Sequence, residues 1–149
     1  MLMGYISRCE TAGRQTFCIE TSSGRIVWDI AGMILDMRSM KWPVIHIKTS
    51  KLRITSRFYG DSQYAMQTDM EEPCIVVELG MGMDKLVDGN HRLYKASRLG
   101  IEHLPCYYLP MNVHRYYING YDEVTYERVI SEFVVQTYGS NDLICKFFT

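Results

Sequence analysis

The clearest alternation of apolar and polar positions lies in the middle of the chain. Residues 74–79 form a short, almost continuous apolar run, the signature of a strand buried on both faces. Gly80-Met81-Gly82-Met83-Asp84 then reads as a turn, and Lys85-Leu86-Val87 as a second strand that pairs back on the first. From Asn90 to Leu99 the period becomes helical, with Leu93, Ala96 and Leu99 on one face and Lys95 and Arg98 on the other. Gly100 stands where a left-handed residue ends a helix, and residues 104–109 make a third strand.

The flanks are less regular. Residues 5–10 and 16–20 read as strands separated by the Thr11-Ala12-Gly13-Arg14 turn. After Ser22-Ser23-Gly24, residues 25–28 read as another, giving an N-terminal hairpin or meander. Ile30, Ile34 and Met37 share a face of a short helix over 30–37, and 44–48 alternates like a strand after Trp42-Pro43. A weak helical pattern covers 61–69. Beyond the Asn119-Gly120 turn, residues 122–138 form the best-patterned helix. Asp122 and Glu123 sit at its positive end, Val129, Ile130 and Phe133 line one face, and Gly139 closes it. The expectation is one α+β domain.

Composition changes this picture little. The chain has 149 residues, 47% apolar and 22% charged, ordinary values for a soluble domain with a real core. No apolar run nears the roughly 20 residues that span a bilayer and no secretory leader is visible, which favours the cytoplasm and no membrane partner. Cys9, Cys18, Cys74, Cys106 and Cys145 include no C-x-x-C pair, so buried reduced thiols are expected rather than a zinc site. Charge is unevenly spread. Residues 37–60 hold six basic residues (Arg38, Lys41, Lys48, Lys51, Arg53, Arg57) and no acid, whereas 61–88 hold seven acids against Lys85 alone. That split makes either a bipolar surface with an anion-binding face or two ordinary solvated faces.

The candidate chemistry sits at the junction of strand and helix, in Asp88-Gly89-Asn90-His91-Arg92. A strand that ends in glycine and turns into a helix offers an anion the free N–H groups of the first turn and the positive end of the dipole. Arg92 adds a bidentate fork and His91 a titratable donor. Asp88 is close enough to ligate Mg²⁺ or act as a base, or else simply stabilises the turn. Asn90 is a ligand, a helix cap, or both. Glu78, at a strand end, is a remote base or metal-ligand candidate, and Lys48 and Lys51 can neutralise phosphates from a neighbouring strand. His46, His103 and His114 lack metal-ligand spacing. Tyr107, Tyr108, Tyr116, Tyr117 and Tyr121 either stack on a base or pack.

Residues 73–109 resemble the ParB/sulfiredoxin superfamily. Its pattern is a Pro-led apolar strand, a turn, a strand ending in Gly, a polar triplet ending in Arg, a helix, and Gly-x-x-x-[IL]-Pro. Here these are Pro73 to Leu79, Lys85 to Gly89, Asn90-His91-Arg92, Leu93 to Leu99 and Gly100 to Pro105. Trp42-Pro43-Val44 and Ser50-Lys51-Leu52 are loosely similar to the family's opening. The resemblance implies a mixed sheet with flanking helices, extended by residues 1–41 and a helical 111–149. It also implies ATP, CTP or ADP with its phosphates on Gly89, Asn90, His91 and Arg92. Sulfiredoxin carries a catalytic Cys where this chain has Asn90, which argues against sulfinic-acid reduction. ParB's Glu-Arg-Arg triplet and helix-turn-helix are also missing. The Asp-Gly-x-His-Arg form is similar to that of free-serine kinases and small ParB-like nucleases.

Three functions follow. The first is a nucleotide-binding phosphohydrolase or phosphotransferase using Mg²⁺, with Asp88, His91 and Glu78 in the chemistry. The second is a DNA-binding or nuclease-type ParB-like protein that uses the basic run. The third is a non-catalytic, nucleotide-gated interaction module.

Overall fold

Two sheets share one core in the computed structural model, which describes residues 5–7, 10–11, 14–56 and 62–138. In the first sheet β3 (Arg14–Thr21) and β4 (Gly24–Asp29) form a hairpin closed by Ser22-Ser23, with Gly24 at φ 136°. The short strands β1 (Tyr5–Ser7) and β2 (Glu10–Thr11) pair antiparallel with β3 in succession, Tyr5 opposite Glu20 and Glu10 opposite Gln15. Both pieces keep one register on β3, in line with the expected strand over 5–10, of which residues 8–9 lie outside the described residues. Asp29 ends the sheet and starts α1 (Ile30–Ser39), its carboxylate accepting from the Gly32 amide at 3.1 Å.

The second sheet has the order β5-β8-β6-β7. It contains β5 (Val44–Lys48), β6 (Cys74–Gly80), β7 (Met83–Asp88) and β8 (His103–Leu109). β6 pairs parallel with β8 and antiparallel with β7, while β5 pairs antiparallel with β8. The sheet is therefore mixed, as expected. The five-residue turn expected after β6 shrinks to Met81-Gly82, because the strands continue to Gly80 and from Met83. The helices α2 (Thr49–Arg53) and α3 (Ser62–Met66) follow β5. α4 (Asn90–Leu99) links β7 to β8, and α5 (Met111–His114) and α6 (Glu123–Tyr138) follow β8. The weak pattern over 61–69 condenses to α3. Asp61, Arg57 and Gly139 lie outside the described residues, as do the side chains of Cys9 and Cys145.

Alternation along β6 divides the interior in two. Ile75, Val77 and Leu79 join Trp28, Met33, Ile130 and Phe133 in a core built with the first sheet, α1 and α6. Cys74 and Val76 face the other way, onto Leu52 of α2 and Leu93 and Ala96 of α4. Burial on both faces explains the continuous apolar run of β6. Leu99 departs from expectation: it is 55% exposed. Gly100, at φ 72°, ends the helix there, its amide and that of Ile101 both reaching Ala96 O, and Ile101 packs against the cluster instead. His114 is a packing histidine. Trp28 Nε1 donates to its Nδ1 at 3.1 Å, its Nε2 donates to Glu78 O at 2.7 Å, and burial pushes its pKa down.

Among the described residues no helix is long and apolar enough to cross a membrane.

A candidate anion site at the start of α4

Gly89 is the pivot between β7 and α4. Its φ of 112° lies in the left-handed region, and a Cβ there would stand 2.8 Å from Cys74 Cβ, closer still to Cys74 Sγ, and 3.1 Å from Arg92 Nη2. Only glycine meets both demands. Because Gly89 occupies the cap position, Asn90 is the first helical residue, not the cap expected from its type. Among the described residues no side chain caps α4. The other two long helices differ, since Asp29 caps α1 and Asp122 Oδ2 accepts from the Thr125 amide of α6 at 2.9 Å.

Asp88 has the residue type for a cap but is turned elsewhere. Its Oδ2 accepts from Arg92 Nη2 at 3.1 Å and its Oδ1 from Gln15 Nε2 of β3, also at 3.1 Å. Each oxygen thus accepts one hydrogen bond, and Asp88 ties the Arg92 guanidinium to β7 and β7 to β3. Among the described residues no three His, Cys, Asp or Glu side chains converge as a metal-binding group. Arg92 is 8% exposed, and its Nε has no hydrogen-bond partner among the described residues. A buried guanidinium with a spare donor, beside an uncapped helical turn, is suited to an oxyanion. His91 is half-buried, its ring edge-on to Tyr64 of α3 with centroids 5.0 Å apart.

The structure gathers Asp88, Gly89, Asn90, His91 and Arg92 and leaves the remaining candidates apart. Lys48 is exposed at the end of β5, the edge strand farthest from β7. Three strand spacings put it roughly 14 Å from the motif across the sheet. Lys51 Nζ pairs with Asp84 Oδ2 at 3.1 Å, and Tyr108 donates to Asp84 Oδ1 at 2.9 Å. Glu78 lies opposite Asp84 in the register whereas Asp88 lies opposite Ile75, and its Oε1 accepts from the Met111 amide of α5 at 3.1 Å. Tyr107 is buried, Tyr117 donates to Asp36 and Tyr121 packs on Tyr126, so most of the tyrosine cluster is packing.

The two charge blocks neutralise one another in part, because Arg38 pairs with Glu72 and Lys51 with Asp84. This weakens the anion-binding face expected of the basic run.

Cys74 is the neighbour that sequence reasoning missed. It lies in direct register with Cys106 across the parallel β6–β8 pair, and both are buried free thiols. Hydrogen bonding from the Cys106 thiol, and then the Arg92 guanidinium, hold Cys74 below the ordinary thiol range against its burial. The same hydrogen bond and burial push Cys106 up. The repeated Pro-Cys pairs at 73–74 and 105–106, one at the start of β6 and one inside β8, were the available signal. No family model matches the chain, and no curated protein or solved structure matches it either.

Proposed function

We propose that this protein binds the phosphate chain of a nucleotide at the first turn of α4, as a domain of the ParB/sulfiredoxin type extended by an N-terminal hairpin. One observation carries the reading: an uncapped helical turn lies beside a buried arginine that keeps an unsatisfied donor. Amides 90–92 and the helix dipole supply fixed partial charge, Arg92 supplies the full charge, and His91 lines the rim. Asp88 holds Arg92 in place when no anion is bound.

The side chains expected to carry phosphoryl transfer are engaged otherwise: Asp88 with Arg92 and Gln15, Glu78 with α5, Lys51 with Asp84. This favours binding without turnover, in a nucleotide-gated interaction module, over a phosphohydrolase or phosphotransferase. Calorimetric titration with ATP, CTP, ADP and inorganic pyrophosphate tests it. Binding of at least one, weakened about tenfold or more by Arg92→Lys, is expected, because a lysine keeps the charge and loses the fork. Absence of binding to all four by the folded wild-type protein sinks the proposal. Steady phosphate release from ATP or CTP restores the enzymatic reading.

A further inference from the structure

Beneath the anion site lies a chemistry that phosphate binding does not use. Cys74 of β6 and Cys106 of β8 face each other in register and belong to the same cluster under α4, so their side chains leave the sheet on one face. Neighbouring strands hold paired Cα atoms about 4.8 Å apart, inside the roughly 4.4–6.8 Å range that a disulfide spans. The Cys106 thiol donates to Leu104 O at 3.4 Å, and Arg92 Nη2 stands at the same face of Gly89 as the Cys74 sulfur. The Gly89 backbone packs directly on Cys74, so a peroxide reaches the buried sulfur only when the start of α4 lifts.

We propose that Cys74 and Cys106 are a redox-active dithiol, with Cys74 as the attacking thiol, Cys106 as the resolving thiol and Arg92 as the group that positions and charges Cys74. The oxidant class is a hydroperoxide, of which hydrogen peroxide is the smallest. The Cys74 thiolate attacks one peroxide oxygen. An S–O bond forms, the O–O bond breaks, and the departing hydroxide takes up the proton that Cys74 had released, leaving as water. The Cys106 sulfur then attacks Cys74 sulfur. The S–S bond forms, the S–O bond breaks, and the hydroxyl group leaves with the Cys106 proton as a second water. Two thiols lose two electrons and one peroxide gains them. The surroundings fit these roles, because Arg92 Nη2 stands beside Cys74 at Gly89 whereas the Cys106 thiol keeps its proton in a bond to Leu104 O. This inference stands whether or not a nucleotide binds above.

The test treats the folded full-length protein with stoichiometric hydrogen peroxide, quenches by alkylation after unfolding, and maps peptides by mass. Wild-type protein is expected to lose 2 Da in a peptide pair linking Cys74 to Cys106. Cys106→Ser is expected to stop at the sulfenic acid, trapped on Cys74 by dimedone, whereas Cys74→Ser leaves Cys106 alkylatable. Arg92→Met should slow the linkage about tenfold at pH 7, the loss of thiolate that accompanies a return toward the ordinary thiol pKa, with Arg92→Lys restoring part of the rate. Full alkylation of both cysteines after peroxide treatment overturns the proposal. So does dimedone capture at Cys106 instead of Cys74, or an unchanged rate in folded Arg92→Met.

Discussion

Lys85 and Arg92 are both cations that the fold buries, one on β7 and one on the helix that follows it, yet their surroundings differ in kind. Lys85 is fully buried, with its ammonium donating to Thr55 O and, at 3.3 Å, to Ser56 Oγ, and lying 5.9 Å from the Phe17 ring centroid. Both hydrogen-bond partners are neutral acceptors, and burial pulls its pKa down to about 7. It is a lysine that the interior tolerates as an amine. Arg92 cannot give up its proton, is paired with Asp88, and keeps an Nε without a partner among the described residues. The fold supplies acceptors to one buried cation; the other keeps a donor that the proposed anion would satisfy.

The sharpest way to test the first half of that contrast is Lys85→Met. Lys85 has a folded pKa below its unfolded value, so the unfolded chain binds more protons between about pH 7 and the ordinary lysine range. Stability therefore rises with pH across that window, and below it the charged amine costs about 5 kcal/mol. Lys85→Met removes that cost but leaves Thr55 O without its donor, for a net gain of about 2 kcal/mol at pH 6. Urea unfolding at pH 6 and pH 9.5 checks it. A wild-type stability as flat across that range as the variant's breaks the contrast.

Asp88→Asn tests the other half. Both side chains of the Asp88–Arg92 pair are largely buried, so removing the carboxylate charge is expected to cost about 3 kcal/mol. It should also tighten pyrophosphate binding about tenfold, because the anion no longer competes with Asp88 for the guanidinium. Thermal unfolding with and without pyrophosphate reads both effects at once. Lost stability with unchanged affinity would make Arg92 a structural cation like Lys85.

This contrast was only half legible in the sequence. Boundaries at Val44–Lys48 and Asn90–Leu99 followed from apolar period and from Gly100, which are local signals. The motif itself was legible because the glycine, the helix start and the arginine are contiguous. Lys85 was not, because Lys85-Leu86-Val87 carries no local sign of which face is buried, and the hairpin sheet that covers that side arrives from residues 14–29. Lys48 was misassigned for a related reason. The strand order β5-β8-β6-β7 is not the chain order, and it sends β5 to the edge away from β7. Cys74 meets Gly89 only through the β6–β7 register, which no spacing along the chain encodes.

Gly89→Ala probes the Arg92 side without touching any charge. The new methyl meets Cys74 and sits on a backbone with φ 112°, so a loss of about 2 kcal/mol is expected, with pyrophosphate binding weakened as the α4 start shifts. Adding Cys74→Ala removes the contact with the sulfur but neither the one with Cys74 Cβ nor the backbone strain. The double variant should therefore be more stable than the sum of the two single changes implies. Strict additivity would mean that Cys74 and Gly89 are not coupled, and the close packing under Arg92 would lose its role in shaping the site.

The smallest effect concerns the helix starts themselves. Asp29 caps α1 through the Gly32 amide, so Asp29→Ala is expected to cost about 1 kcal/mol and to leave pyrophosphate affinity unchanged. At α4 no side chain among the described residues supplies the corresponding stabilisation, which should come from the ligand. Saturating pyrophosphate is therefore expected to slow amide hydrogen exchange at Leu93 and its neighbours while leaving Met33 and its neighbours in α1 unaffected. The reasoning is that an anion held by first-turn amides suppresses fraying only in the helix whose turn was open. Equal slowing in both helices would indicate global stabilisation by binding elsewhere, and the difference between a turn closed by its own aspartate and one left for an anion would disappear.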